Sequence, residues 1–173
     1  GWTLQVELLE EAFQSTTPAF DRFLQDLVQR SVRIAIDDFG TGYSSLARLI
    51  SLPIQAVKID RAFVLRLEDS GDSPRKLLRT MITMLNDLGL SITAEGVETN
   101  AQLTWLLDNS VEKAQGFLFH QPLPISEAIA LLQGLNYRPS AIPVDPRRLQ
   151  AVRRRRRRSS WLLSFLDRRQ SQD

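Results

Sequence analysis

The sequence predicts an α/β domain of the (βα)8 TIM-type barrel class, incomplete, with about five βα units and the opening strands absent. Two observations predict it. Apolar strand-like runs alternate with stretches of helical periodicity, which implies parallel strands joined by right-handed crossovers. In addition, Glu7, Asp37, Asp38, Lys58, Asp60, Glu95 and Gln115 stand within or at the ends of five different strands. A barrel draws on many strands to furnish its mouth, whereas a doubly wound sheet concentrates its site at one switch point. The polar residues therefore favour a barrel over an open sheet.

The predicted strands are Leu4–Leu9, Arg33–Asp37, Ala56–Asp60, Ser91–Ala94 and Ala114–Phe119. Between the first two, Phe20, Phe23, Leu24, Leu27 and Val28 recur at helical spacing. A second helix is predicted over Ser73–Leu88, with Leu77, Leu78, Met81, Ile82 and Leu85 on one side and Gly89 as its stop. Thr99–Asp108 and Ile125–Leu135 complete the set, with Ser126 as the N-cap of the last after Pro122 and Pro124. The barrel is expected over residues 1–137. Residues 138–173 read as an extension, with a proline-containing linker (Asn136–Asp145) leading to six consecutive arginines, Arg153–Arg158.

Composition narrows the chemistry. There is no cysteine and one histidine, so disulfide frameworks, thiolate zinc sites and multi-histidine metal sites are excluded. A bound metal must be held mainly by oxygen, which favours magnesium, manganese or calcium. No apolar run approaches ~18 residues, and no signal peptide precedes Gly1, so a cytoplasmic location is expected; a full-length protein could still be anchored through other parts. The start of the chain reads as a cut inside a domain. Charge is divided unevenly. Residues 1–137 hold 11 Lys/Arg against 17 Asp/Glu, a net of −6, and residues 138–173 hold 11 Arg against 3 Asp, a net of +8. The high isoelectric point thus belongs to the tail. Its arginines, beside Trp161, Leu162, Leu163, Phe165 and Leu166, read as a disordered basic extension, with nucleic acid or an anionic membrane as the alternative contact.

The most informative stretch is Ile34-Ala35-Ile36-Asp37-Asp38-Phe39-Gly40-Thr41-Gly42. A buried strand ends in two adjacent carboxylates and a glycine turn. Neighbouring strand residues point to opposite faces, so both can serve one centre only where the strand is already bending into its loop. Several carboxylates converging on one place are costly unless a cation neutralises them. Lys58, on the next strand, is suited to orient a water or to steady a developing oxyanion.

These residues resemble the EAL domain, the bacterial cyclic di-GMP phosphodiesterase family. The resemblance covers about residues 4–135, the C-terminal two-thirds of such a domain. It rests on Glu7-Leu8-Leu9-Glu10, Asp37 to Leu46, Leu52-Pro53, Val57-Lys58-Ile59-Asp60, Ala94-Glu95-Gly96-Val97-Glu98-Thr99 and Gln115-Gly116-Phe117-Leu118-Phe119 through Pro124. It implies hydrolysis of cyclic di-GMP to linear pGpG with Mg²⁺ or Mn²⁺, two ions in a complete domain. Glu7 and Asp37 would hold the first ion, and Asp37, Asp38 and Glu95 the second. Lys58 would position or deprotonate the attacking water, Asp60 would orient Lys58, and Gln115 would bond near that water or the phosphate. Glu10 would anchor the loop that contains Gly40, Thr41 and Gly42, and Glu98 would contact substrate. The resemblance also implies an upstream sensor or GGDEF-type domain and a homodimer as partners. The chain departs from the family in lacking the Glu-Ala-Leu strand and an asparagine ligand, and Leu9 replaces a threonine. A catalytically inactive module that binds cyclic di-GMP or a protein therefore stays open beside the enzyme. So does a remnant with two open sheet edges and no stable fold of its own.

Overall fold

Among the described residues five strands lie side by side in the order in which the chain visits them: β1 (Gln5–Leu9), β2 (Arg33–Phe39), β3 (Ala56–Ile59), β4 (Ser91–Ala94) and β5 (Lys113–Ala114). All neighbouring pairs are parallel. The computed structural model describes residues 3–13, 17–42 and 46–133. The expected linker, the arginine run and Tyr43–Ser45 lie outside the described residues. The strand order never reverses, so the sheet has no switch point; it is the arc of a barrel and not a doubly wound sheet.

The crossovers carry the helices. A single 3-10 turn, Glu10–Phe13, leads toward α1 (Pro18–Gln29), which starts on Thr17, whose hydroxyl accepts from Phe20 N–H, with Pro18 in its first turn. Then come α2 (Leu46–Ser51), α3 (Arg61–Leu65), a 3-10 turn at Arg66–Glu68, and α4 (Ser73–Asp87), which ends before Gly89. Next is α5 (Asn100–Asp108), held by a capping box in which Thr99 and Gln102 satisfy each other's backbone N–H groups, and last α6 (Ile125–Gln133). Among the described residues no helix is long and apolar enough to cross a membrane.

Register explains the division of labour between the two faces of the sheet. Leu8 pairs with Ile36, Ile36 with Val57, and Val57 with Ile92, so one face presents a row of branched apolar side chains. Ile36, Val57, Ile59 and Ile92 are buried there with Leu24 of α1 and Leu78, Ile82 and Leu85 of α4. The alternate residues form the other face: Glu7 beside Ala35, Asp37 beside Leu9, and Lys58 beside Thr93. The polar set is thereby gathered on the side away from the helices.

Several expected boundaries need correction. β5 is two residues long rather than Ala114–Phe119, because the chain turns at Gly116 (φ +154°) and Phe119 N–H bonds back to Gly116 O at 3.0 Å. β1 begins at Gln5, and β2 continues through Phe39. β3 stops at Ile59 because Asp60 leaves the strand to cap α3, a helix that five residues of sequence do not announce. Ser126 lies inside the first turn of α6, which already starts at Ile125, and the described part of that helix ends at Gln133.

Candidate active site and metal centre

The site grows from an irregularity in β2. Between Ile36 and Phe39 the β2–β3 register slips, so that three steps on β2 match two on β3. Asp38 takes up the extra residue in the left-handed region, at φ +54°. That conformation costs a non-glycine residue about 1 kcal/mol or more. Phe39 returns to the core while Asp38 stays beside Asp37 rather than opposite it. The strand–loop bend expected from the sequence is this bulge. Its product is a triad, Asp37, Asp38 and Glu95, whose ligand oxygens lie within 4.8 Å of one another, as a metal centre requires.

Lys58 stands in the middle of the carboxylates. Its ammonium lies 2.8 Å from Glu7 on β1, Asp37 on β2 and Glu95 just past β4. Burial by itself would lower the lysine pKa; the hydrogen bonds to Asp37, Glu7 and Glu95 outweigh it and hold the pKa above its ordinary value. Glu95 is pushed up by burial and by Asp37 and Asp38, with Lys58 opposing. Burial also raises Asp38, and the neighbouring carboxylates Asp37 and Asp60 add to it. Burial leads in both shifts and crowded negative charge adds to it; a divalent cation on oxygen ligands would relieve the latter. The residues present thus fit a hard divalent ion.

The remaining candidates fall around this centre. Gln115 Nε2 donates to Glu95 Oε1 at 2.6 Å. Asp60 Oδ1 accepts from Ala62 N–H at 2.8 Å, which places its carboxylate at the start of α3 and near Asp38. Thr41 Oγ1 donates to Asp38 O at 2.8 Å and so ties the bulge to its own loop. Glu98 lines a cavity of about 450 Å³ together with Asp38, Asp60, Arg61, Glu95, Gln115, Phe117 and His120. Phe117 is 59% exposed. Arg61 and His120, which no motif in the sequence singles out, line the same cavity.

Glu10 is 3% exposed, a buried carboxylate at the tip of β1. Its Oε2 accepts from Gly40 N–H at 2.7 Å and from Gly42 N–H at 3.1 Å. These two bonds tie the Gly40–Gly42 loop to the end of β1. Charged hydrogen bonds of this kind are worth about 1.5–3 kcal/mol. Glu10→Ala is therefore expected to lower the midpoint of urea unfolding and to loosen the loop that carries Asp38. An unchanged midpoint would show that the loop holds itself.

A model described as "EAL domain" matches residues 1–122. The chain belongs to the EAL domain family. Among curated proteins, the cyclic di-GMP phosphodiesterase NbdA of Pseudomonas aeruginosa is 39% identical over 140 residues, 81% of this chain and 18% of that protein. The cyclic di-GMP phosphodiesterase PdeR of Escherichia coli is 36% identical over 121 residues, 70% of this chain and 18% of the other. Among solved structures, the PaMucR phosphodiesterase in its c-di-GMP complex superposes with a TM-score of 0.67 at 37% identity, covering 72% of this chain and 50% of that one. This EAL chain thus spans under a fifth of the length of these two curated relatives and half of the PaMucR chain, and its five-stranded arc corresponds to part of an EAL barrel.

Proposed function

We propose that this chain carries the central part of a phosphodiesterase site that hydrolyses cyclic di-GMP to linear pGpG. The observation that supports it most directly is the meeting of Glu7, Asp37, Asp38 and Glu95 around Lys58, on the polar face of an EAL sheet. The names of NbdA and PdeR, and the c-di-GMP complex of PaMucR, point the same way. Asp37, Asp38 and Glu95 would hold Mg²⁺ or Mn²⁺, with Glu7 beside them, and the ion would supply Lewis-acid activation and offset the charge of the phosphate. Lys58 positions the attacking water and steadies negative charge on the phosphoryl oxygens. Gln115 holds Glu95 in place. The water oxygen bonds to phosphorus, the bond from phosphorus to the ribose 3′ oxygen breaks, and that oxygen takes a proton. Phe117 offers an exposed aromatic face to a purine base in the adjoining cavity. The relatives are several times longer than the stretch they share with this chain, and an upstream sensor or GGDEF-type domain in the full-length protein would supply the regulation.

The test is turnover of cyclic di-GMP by the full-length protein, with pGpG as the product. Chelation is expected to abolish it, and Mg²⁺ or Mn²⁺ to restore it. Turnover that persists in chelator would remove the metal from this reading. One observation favours a second reading, a binding module without turnover: Leu9, 54% exposed beside the anchor Glu10, replaces the hydroxyl expected there. Calorimetric binding of cyclic di-GMP with no pGpG formed would select that reading.

A further inference from the structure

We propose that Arg61 pairs with the second phosphate of the bound cyclic dinucleotide, the one not being cleaved, and that preference for a two-phosphate ligand over a smaller diester depends on it. The proposal rests on the cyclic di-GMP reading above and names a residue that the metal centre does not include. The charge of the cavity wall leads to it. Among the described residues four carboxylates line the cavity, those of Asp38, Asp60, Glu95 and Glu98, and of those lining side chains Arg61 alone bears a guanidinium or ammonium. A ligand with two phosphates brings two further negative charges into this space. Lys58 is already engaged with three carboxylates. A divalent ion on Asp37, Asp38 and Glu95 would serve one phosphate, which leaves the other to be met by a second cation. Arg61 is exposed, and its guanidinium makes no hydrogen bond or ion pair among the described residues. A planar fork of donors suits a phosphate, which it can engage through two parallel hydrogen bonds.

The backbone holds this side chain in place. Asp60 caps α3, so Arg61 is the first helical residue and its stem leaves the helix at a fixed point. The stem lies against Gly96, where the backbone turns between Glu95 and Glu98 at φ +66°. A methyl group at Gly96 would collide with the Arg61 Cβ. The glycine therefore lets the arginine stem cross the Glu95–Glu98 turn in close contact. A group placed so carefully and left without a partner is available to a ligand.

The experiment compares the full-length protein with Arg61→Met and Arg61→Lys. Methionine retains the Cβ and Cγ that pack on Gly96 and removes the guanidinium, with its charge and its donors. Titration calorimetry with cyclic di-GMP is expected to show Kd raised about tenfold or more in R61M, with a shallower salt dependence, and part of the affinity recovered in R61K. Hydrolysis of bis(p-nitrophenyl) phosphate, a diester with one phosphate, is expected to stay within twofold of wild type. An R61M Kd equal to wild type would overturn the proposal. Equal losses on both ligands would overturn it too, since they would mark Arg61 as a structural support. Binding by wild type without turnover would remove the phosphodiesterase reading, while the R61M comparison would still decide the role of Arg61. No binding of cyclic di-GMP by wild type would overturn both.

Discussion

Lys58→Met is expected to lower turnover of cyclic di-GMP by on the order of 10²–10³-fold while the chain remains folded. The ammonium lies 2.8 Å from Glu7, Asp37 and Glu95, so it is the positive charge around which three strands arrange their carboxylates. Methionine fills much of the space of the lysine stem and removes that charge. The carboxylates left behind repel one another, but each is partly open to water, with side-chain exposures of 39%, 23% and 14%. Water and counterions can therefore absorb the change, and the melting temperature without divalent ions should fall by only a few degrees. Addition of Mg²⁺ should then stabilise K58M more than wild type, because ammonium and metal share Asp37 and Glu95. Thermal melts with and without Mg²⁺, beside turnover of the same preparations, provide the check. Wild-type turnover in K58M would remove the lysine from the chemistry. Equal Mg²⁺ stabilisation of the two proteins would show that lysine and metal do not share ligands.

Gly116→Ala is expected to have the larger effect on stability. Gly116 sits at φ +154°, and a Cβ there would run into the backbone N, C and O of Val97. Backbone cannot rotate away as a side chain can. The collision must open the hydrogen bonds that join the two segments: Val97 N–H to Gln115 O at 3.0 Å and Leu118 N–H to Val97 O at 3.0 Å. The combined cost is about 3 kcal/mol or more, a large share of the stability of a small domain. The same movement would displace Gln115 from Glu95, so any folded fraction should also lose activity. Urea unfolding followed by circular dichroism measures the first effect. A midpoint within experimental error of wild type would show that the Val97 segment yields at little cost.

Much of this molecule is legible in its letters, and the exceptions have physical causes. Ile34-Ala35-Ile36 announces a strand with both faces covered, and the two aspartates after it require a bend, which the structure supplies as a bulge at Asp38. The alternation of Lys58 with Val57 and Ile59 separates the polar from the apolar face, since a strand has period two. Helix α3 stays hidden because five residues are too few to show a period of 3.6. For the same reason Asp60 reads as the end of a strand instead of a cap. β5 is overestimated because Phe117, Leu118 and Phe119 have strand-like chemistry, while the turn at Gly116 is imposed by the Val97 backbone packed against it. Arg61 escapes notice since its surroundings are built by Gly96 and Glu98, which are distant in sequence. Contacts across the sheet leave no local trace.

The hydrogen bond from Lys58 to Glu7 links residues 51 positions apart, and the same amine reaches the strands on either side of its own. No three consecutive staves contain the complete arrangement. A chain that has docked only its first three strands would therefore lack the cluster, which closes in one step when Glu95, just past β4, seats against Lys58.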